Sequence, residues 1–344
     1  MSEVEVFLDD TPGEIRGVIA RDGRFEQLLI QREGDPAQDR LGARSVGRVL
    51  DVEGGFNAAF VDIGTAGPSG FLPLGKGVRL RDGDRVEVEV TAEPRERKGP
   101  TLRLLGAGAG ESRLLDAGPG VADQLARLAP GVEAQTGAAA IQASWDAEGE
   151  ALADGDFFAD LALDLAVERT RALIAVDIDY AHLPGRDGRK GRERANREGL
   201  KQASRIIRLK SWAGLVAVDL VGTSLDGEAV MRMARAAFAG DADVVFGPLS
   251  RFGLLQLALP WRRTPIEEVL NGRDGRRGAQ TTAIDLARRV RHAMSSDTTI
   301  ARFTARCAPD EAAAAAPLIA RLGPRAVIVA DPAVAPGRSD IQGS

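Results

Sequence analysis

The chain is poor in the side chains that define many common catalytic sites. It has one cysteine, Cys307, and two histidines in 344 residues. A single cysteine excludes an intramolecular disulfide and any metal site built from several cysteines. His182 and His292 are far apart in the sequence, and no G-x-S-x-G motif is present. A Ser-His-Asp hydrolase is therefore not indicated.

Other absences narrow the class of protein further. No strand-like run is followed by G-x-G-x-x-G or G-x-x-x-x-G-K-[ST], so a dinucleotide enzyme or P-loop ATPase lacks its phosphate-binding loop. No stretch approaches about 18 uninterrupted apolar residues, which predicts no membrane span. The start, MSEVEVFLDD, is acidic and lacks the apolar region of a signal peptide. We therefore expect a soluble, cytoplasmic protein.

The most informative stretch, residues 171–222, has the pattern of a strand, a helix and a second strand. Leu173–Val176 and Leu215–Val218 are short apolar runs typical of strands buried on both faces. Apolar residues at helical spacing predict an amphipathic helix over Glu193–Lys210. Two strands joined by such a crossover lie parallel, with their carboxyl ends at one edge of the sheet. Asp177 and Asp219 leave their strands at that edge.

These two carboxylates allow two interpretations. An acid that follows a strand is often a turn former or the N-cap of a helix. However, two ionised carboxylates about 4 Å apart repel by roughly 4 kcal/mol at an effective dielectric near 20. Such a pair must separate, share a proton or bind a cation, and Mg²⁺ needs only one or two protein carboxylates. The further acid Asp179 strengthens the interpretation as a metal site.

The segment between the two acids is strongly basic. From Arg186 to Lys210 the net charge is +7, whereas the chain has −5, which leaves −12 for the rest of the protein. A positive segment on an acidic protein favours a polyanionic substrate close to the carboxylates, although many charge runs are only solvated helix faces. The basic residues are Arg186, Arg189, Lys190, Arg192, Arg194, Arg197, Lys201, Arg205, Arg208 and Lys210.

Four motifs together resemble the catalytic subdomain of the ribonuclease E/G family. They are AVDID at 175–179, Asn196 with the basic helix, GLVAVDLVG at 214–222 and SRFGLLQL at 250–257. The resemblance implies that Asp177 and Asp219 hold Mg²⁺, or Mn²⁺ in its place, for attack of water on a phosphodiester. It also implies that the Ser250-Arg251-Phe252 turn helps to position the substrate near the cleaved phosphate.

The motifs also depart from the family. Asp179 stands where better-known members have an asparagine that positions a catalytic aspartate. Gly222 stands where the family has a second acid after the later strand. The family's zinc-binding cysteine pair is missing, so we expect no zinc, and a zinc-linked dimer is not supported. The oligomeric state stays open.

Residues 40–106 contain five short strand-like runs separated by Gly, Pro and Asp turns, which suggests a small barrel of the OB type. GRVLDVEGGFNAAFVDIG and GFLPL, within 47–74, resemble the S1-type RNA-binding domain of the same family. By that resemblance Phe60 and Phe71 stack on bases and Lys98 contacts a phosphate. The alternative is that both rings belong to the barrel core.

The resulting expectation is a multidomain α+β protein with an inserted S1-type OB barrel, a mixed α/β nuclease domain, DNase I-like in the family, and a small C-terminal α/β domain. The predicted boundaries are 1–38 for an N-terminal hairpin that packs on the catalytic half, 39–106 for the barrel, 107–165 for a shortened linker or sensor-like region, 166–280 for the catalytic domain, 281–335 for the C-terminal domain and 336–344 for a disordered tail. Residues 135–167 are expected to form a helical stretch rich in Ala, Asp and Glu, and 260–277 a basic, Gly-containing loop.

The functional hypothesis is a Mg²⁺-dependent endoribonuclease that cleaves single-stranded RNA and has no membrane partner. Asp177, Asp219 and Asp179 are its predicted catalytic residues. The alternative is an RNA-binding regulator that has lost catalysis, motivated by Gly222, Asp179 and the shortened middle of the chain. The predicted RNA contacts are Phe60, Phe71, Lys98, Arg186, Arg189, Lys190, Arg192 and Arg251.

Overall fold

The computed structural model describes residues 3–159, 162–180, 188–222, 225–272 and 274–344. The chain forms two compact units: unit 1 is Met1–Gly149 with Thr264–Ser344, and unit 2 is Glu150–Arg263. Both contain strands and helices, as expected for a multidomain α+β protein. In the described part of the chain, no helix has both the length and the apolar character needed to cross a membrane.

The elements up to residue 152 are β1 Val4–Asp9, β2 Glu14–Arg21, β3 Arg24–Arg32, β4 Arg44–Glu53, β5 Ala58–Asp62, β6 Gly70–Pro73, β7 Arg85–Ala92, β8 Thr101–Ala107, β9 Arg113–Asp116, α1 Val121–Leu128, β10 Ala134–Gln135 and α2 Ala138–Leu152. The later elements are β11 Gly155–Phe158, β12 Leu163–Arg169, β13 Ile174–Tyr180, α3 Arg189–Leu209, β14 Gly214–Asp219, α4 Gly227–Ala237, β15 Val245–Phe246, β16 Leu255–Leu259, α5 Ile266–Leu270, α6 Ala279–Ser296, β17 Phe303–Cys307, α7 Pro309–Ala320, β18 Ala326–Ala330 and β19 Ser339–Gly343.

Unit 1 begins with the hairpin expected from the sequence. Strands β2 and β3 are antiparallel and turn at Asp22 and Gly23, both of which have positive φ. This is the backbone conformation that a two-residue hairpin of the Asp-Gly type requires. β1 and β10 complete the sheet in the order β10-β1-β2-β3.

Residues 44–107 form a closed circuit of five strands. The pairings run β4-β5-β6-β8-β7 and return to β4, and only β6 with β8 is parallel. β9 adds a further strand beside β4. Val86, Val88 and Val90 alternate into the buried interior, as the period-two pattern of their strand predicts.

The C-terminal sheet corrects the prediction for the tail. β19, within the segment predicted to be disordered, pairs antiparallel with β17, while β18 pairs with β17 on the other side. Hydrogen bonds to β17 order the backbone of residues 339–343. Side-chain composition gives no signal for such backbone pairing. Helices α6 and α7 pack with this sheet around Ala305, Cys307 and Ala315.

Unit 2 is built on a six-stranded sheet in the order β11-β12-β13-β14-β16-β15. β13 and β14 are parallel and are joined through α3, as predicted, and the other pairs are antiparallel. Ile174, Val176 and Val218 are buried in one core with Leu200 and Ile207 of α3. The opposite face of β13 and β14 carries exposed side chains.

Two sequence predictions in this region are wrong. The helix predicted over 135–167 ends at Leu152, and 155–169 forms β11 and β12 instead. Asp154 and Gly155 interrupt the helix, and after them buried Leu163, Leu165 and Val167 alternate with more exposed residues at strand spacing. The loop predicted over 260–277 contains the short helix α5.

Candidate active site

The two predicted metal ligands lie directly opposite each other. β13 and β14 are parallel neighbours, and Asp177 is in register with Asp219. Both side chains are exposed, whereas Val176, Ile178 and Val218 beside them are buried. The backbones of such partners are about 4.8 Å apart, so the two carboxylates share one small region at the strand ends.

Two more carboxylates lie on the same face of the sheet. Asp179 follows Asp177 by two residues, and Asp164 of β12 is the antiparallel partner of Asp179. All three are exposed. Sequence reasoning missed Asp164 because it assigned 135–167 to a helix. The alternation of Leu163, Asp164 and Leu165 was the available signal.

The carboxylates act on one another electrostatically. Burial raises the pKa of Asp177, and Asp219, Asp179 and Asp164 raise it further through like-charge repulsion. Among the described residues, no Lys or Arg side chain forms an ion pair with Asp177 or Asp219. Asp179 has a local partner, since its Oδ1 accepts a 2.7 Å hydrogen bond from the Tyr180 N–H.

This arrangement suits a cation that needs few protein ligands. In the described part of the chain, no group of three or more His, Cys, Asp or Glu side chains is placed to hold a metal ion together. Mg²⁺ is commonly held by one or two carboxylates and keeps waters and substrate oxygens in its other positions. The uncompensated repulsion on Asp177 makes such an ion a fitting partner for Asp177 and Asp219.

The backbone that follows Asp219 is fixed by Asn196. The side-chain oxygen of Asn196 accepts a 2.8 Å hydrogen bond from the Val221 N–H, and its amide nitrogen donates to the Val221 carbonyl at 3.1 Å. Asn196 is 2% exposed. These two bonds hold the loop after β14 against α3, one residue before Gly222.

Arg192 lies beside the same loop. A Cβ added at Gly222 would come within 3.3 Å of the Arg192 Cδ and 3.4 Å of its Nε. Arg192 and Asn196 are four residues apart and therefore share the side of α3 that faces this edge of the sheet. Gly222 has a φ of +111°, which favours glycine. Where the resembled family has an acid, this chain thus has a glycine packed closely against an arginine.

The other basic residues of α3 separate into two groups. Lys190, Arg194, Arg197 and Lys201 are exposed and recur at intervals of four, three and four residues, which places them on one outward stripe. Nothing is described for Arg186, which lies outside the described residues, or for the side chain of Arg189.

The second group corrects the expectation that the whole segment faces RNA. Arg205 pairs with Glu150 at 2.5 Å, and Arg208 pairs with Asp241 at 3.1 Å. Lys210 is buried and donates to the carbonyls of Ala151 and Ala153. These cations hold unit 2 together because burial of a charge requires a partner. Sequence spacing could not distinguish them from the exposed stripe.

The SRFG turn lies at the same edge as the aspartates. β16 is antiparallel to β14, and Leu255 pairs with Val218, the residue before Asp219. The Ser250 Oγ accepts hydrogen bonds from the N–H groups of Phe252 and Leu254 at 3.3 and 3.0 Å, so Ser250 shapes the turn. Arg251 lies over the ring of Phe252, which is 77% exposed, at 4.7 Å from the ring centroid.

In the barrel of unit 1, Phe60 and Phe71 are cross-strand partners. Their ring centroids are 5.9 Å apart in an edge-to-face arrangement, and both side chains are half-buried. Their neighbours Ala59, Val61 and Leu72 supply the core, with 0% exposure each. The Lys98 side chain is 67% exposed and pairs with Glu96 at 3.4 Å. These predicted contacts therefore have accessible surface.

The fold and this edge define an α+β protein whose second unit carries paired strand-end carboxylates beside a cationic helix. Residues 161–260 match the model of the Ribonuclease E/G family, which supports the resemblance of this segment to that family. The matched segment contains Asp177, Asp219 and the SRFG turn. The matched family is one of endoribonucleases. No curated protein matches the chain.

Proposed function

We propose that the protein is a Mg²⁺-dependent endoribonuclease that cleaves single-stranded RNA. The observation that carries the proposal is the parallel register of Asp177 and Asp219, together with the raised pKa of Asp177. The pKa is raised first by partial burial and then by repulsion from Asp219, Asp179 and Asp164, and both effects favour a bound cation beside the ionised carboxylates. The family match over 161–260 supports a ribonuclease. We add to it the dependence on Mg²⁺ and the preference for single-stranded RNA.

Asp177 and Asp219 are the residues that would hold Mg²⁺, or Mn²⁺ in its place. When bound, the ion would polarise the phosphate and lower the pKa of an attacking water. Asp179 accepts from its neighbour's backbone and acts as a further anionic group at this edge. Asn196 fixes the loop after Asp219 through two hydrogen bonds to Val221. The Asp219 carboxylate is therefore held in place before substrate binds.

The cations around the carboxylates would bind the RNA backbone. Arg192, beside Gly222, and Arg251, in the SRFG turn, both lie at the carboxyl edge of β14. They would contact phosphates next to the cleaved bond. The outward stripe that begins at Lys190 would add sequence-independent attraction for the strand. Phosphate contacts position a nucleic acid without reading its bases.

The barrel of unit 1 would bind single-stranded RNA as an S1-type OB domain. Its closed five-strand circuit, with one parallel pair between β6 and β8, supports this assignment. Phe60 and Phe71 have accessible ring surface, and stacking of a base on an aromatic ring is worth about 1–3 kcal/mol. Lys98 is exposed and would contact a phosphate. Unit 2 would correspond to the DNase I-like catalytic subdomain.

Cleavage of a labelled, single-stranded, A/U-rich oligoribonucleotide tests the proposal. We expect cleavage with Mg²⁺ or Mn²⁺ that EDTA abolishes, leaving a 3′-hydroxyl and a 5′-phosphate. Asp177→Asn and Asp219→Asn should bind the RNA without cutting it. Glu168→Gln is the matched control, because Glu168 is exposed on the same face of β12 but lies beyond the four acids.

The competing function is an RNA-binding regulator without catalytic activity. Gly222 favours it, because the position lacks an acid and lies next to the cation of Arg192. The hydrogen bond from Tyr180 to Asp179 also gives that carboxylate a purely local role. Wild-type protein that binds RNA but does not cut it with any divalent ion would establish the regulator and reject the nuclease.

A further inference from the structure

Unit 2 has a pocket between α4 and the segment 248–249, separate from Asp177 and Asp219. Its volume is about 610 Å³. One wall is α4, which contributes Met231, Arg232 and Arg235, and the other is the segment of Pro248 and Leu249. A volume of this size is in the range of small-ligand sites, and it is large enough for one nucleotide.

The pocket is next to the carboxylate edge. Leu249 directly precedes the SRFG turn, and this turn leads into Leu255, the partner of Val218 in β14. A Cβ added at Gly253 would lie 4.0 Å from Leu225, just before α4, so the turn and the start of α4 are close together. A strand of RNA whose phosphate lies at Asp219 could therefore continue past the SRFG turn into the pocket.

The lining has three kinds of surface. Met231, Leu249 and Pro248 supply apolar area, Arg232 and Arg235 supply guanidinium groups, and Glu228 supplies one carboxylate. Arg232 is only loosely engaged, 3.9 Å from Glu228, with both side chains exposed. Arg235 lies 5.9 Å from the centroid of the Phe246 ring. Guanidinium groups bind phosphate oxygens in a planar geometry and also stack on bases.

The start of α4 does not itself provide the anion contact. The Asp226 side chain accepts from the N–H groups of Glu228 and Ala229 at 3.0 and 3.2 Å, which satisfies these backbone donors. The two arginines are then the cationic groups of the pocket. An apolar wall opposite two guanidinium groups matches a nucleotide, with its base on the wall and its phosphate on the cations.

We infer that this pocket binds a nucleotide of single-stranded RNA that flanks the cleaved bond. The inference rests on the proposed function, because the strand reaches the pocket from the aspartates. It assigns α4 a part in selecting where the enzyme cuts, through contacts that are separate from Asp177 and Asp219.

Salt dependence of binding tests the phosphate contacts. The cleavage-defective Asp177→Asn protein is titrated with a fluorescent A/U-rich oligoribonucleotide at several salt concentrations, with and without Arg232→Ala/Arg235→Ala. Loss of two phosphate contacts should reduce the slope of log K against log salt by about 1.4, since each contact to a single strand contributes about 0.7. Arg171→Ala/Arg262→Ala is the matched control, because both arginines are exposed and lie at the opposite end of the sheet. Equal slopes for the two double variants would overturn the inference.

Single abasic substitutions along a substrate with one cleavage site test the base contact in wild-type protein. We expect one position, at a fixed distance from the cleaved bond, where loss of the base lowers kcat/KM about tenfold or more, the scale of one stacked base. Met231→Ala and Arg232→Ala/Arg235→Ala should remove the sensitivity at that position. Sensitivity that persists in both variants would place the base elsewhere. Wild-type protein that neither binds nor cuts RNA would instead reject the proposed function itself.

Discussion

Two clusters of carboxylates, one in each unit, show opposite electrostatics. In unit 1, Glu14 is fully buried and contacts Arg16, Arg288 and Arg32 at 2.6, 2.9 and 2.8 Å. Burial raises its pKa, but these three guanidinium groups outweigh that effect and lower the pKa to about 2. The cluster is neutral overall with Asp9 and Glu148, which also pair with arginines.

In unit 2 the corresponding cations are missing from the described surroundings. Asp177 is mostly exposed to solvent. Its remaining burial and then the neighbouring acids raise its pKa. The comparison separates two uses of a carboxylate. Where the chain supplies the opposite charge, the carboxylate orders the fold. Where the chain supplies more carboxylates, they must separate, share a proton or bind a cation.

The largest expected effect is on catalysis. Asp177→Asn should reduce the rate of RNA cleavage by about 10³-fold or more, the scale of losing a group that stabilises charge in the transition state. The variant should fold as stably as wild type or slightly better, because it relieves repulsion among four acids. Single-turnover cleavage and a thermal melt measure the two quantities. A variant that melts well below wild type would mean that Asp177 belongs with the structural carboxylates.

The second effect is on stability. Glu14→Gln should lower the free energy of unfolding by about 3–5 kcal/mol, because it leaves buried guanidinium groups without their counter-charge. Urea denaturation measures this change. Glu33→Gln is a suitable comparison, because Glu33 pairs with Arg321 at 2.6 Å on the surface and should matter far less. Equal losses of unfolding free energy in the two variants would contradict the larger structural role assigned to the buried ion pairs of Glu14.

A third effect concerns the acid that sequence reasoning missed. Asp164→Asn should weaken the apparent affinity for Mg²⁺ by about 10-fold to 100-fold, as outer groups around a metal site do, while saturating Mg²⁺ restores most of the rate. A Mg²⁺ titration of the cleavage rate checks this result. Unchanged Mg²⁺ dependence would exclude Asp164 from the acidic cluster's function.

The smallest expected effect is on the pH dependence of stability and concerns Asp39 of unit 1, which forms no ion pair among the described residues. Burial, then Asp35 and Glu93, raise the pKa of Asp39 from 3.8 to about 6. A carboxyl with a raised pKa in the folded state stabilises the fold at low pH, and that contribution is lost as pH rises from 3.8 to about 6. Asp39→Asn should therefore be more stable than wild type above this range, by about 1 kcal/mol after allowance for solvent screening.

The same variant should match wild type below pH 3.8, where Asp39 is protonated in both states. Urea denaturation at several pH values gives the comparison. A stability difference that does not change with pH would show that Asp39 does not titrate in the way its surroundings imply.

Parts of the site follow directly from the sequence. The apolar runs before Asp177 and Asp219 and the helix between them were predicted, and parallel pairing of such strands brings the two acids to one edge. Asp164 was not predicted, because an Ala-rich and Asp-rich segment was taken as a helix throughout. The roles of Arg205 and Lys210 were also missed, since their partners Glu150 and Ala151 are distant in sequence.

The sequence by itself determined the local elements and the presence of two acids behind two buried strands, because the period of apolar residues is a local property. Only the tertiary structure decided which acids meet, which cations remain exposed and which side chain lies beside Gly222. Those outcomes depend on strand register and on contacts between residues far apart in the chain. Pairing then sets the charge balance of each cluster, so the carboxyl groups of Glu14 and Asp177 acquire opposite pKa shifts.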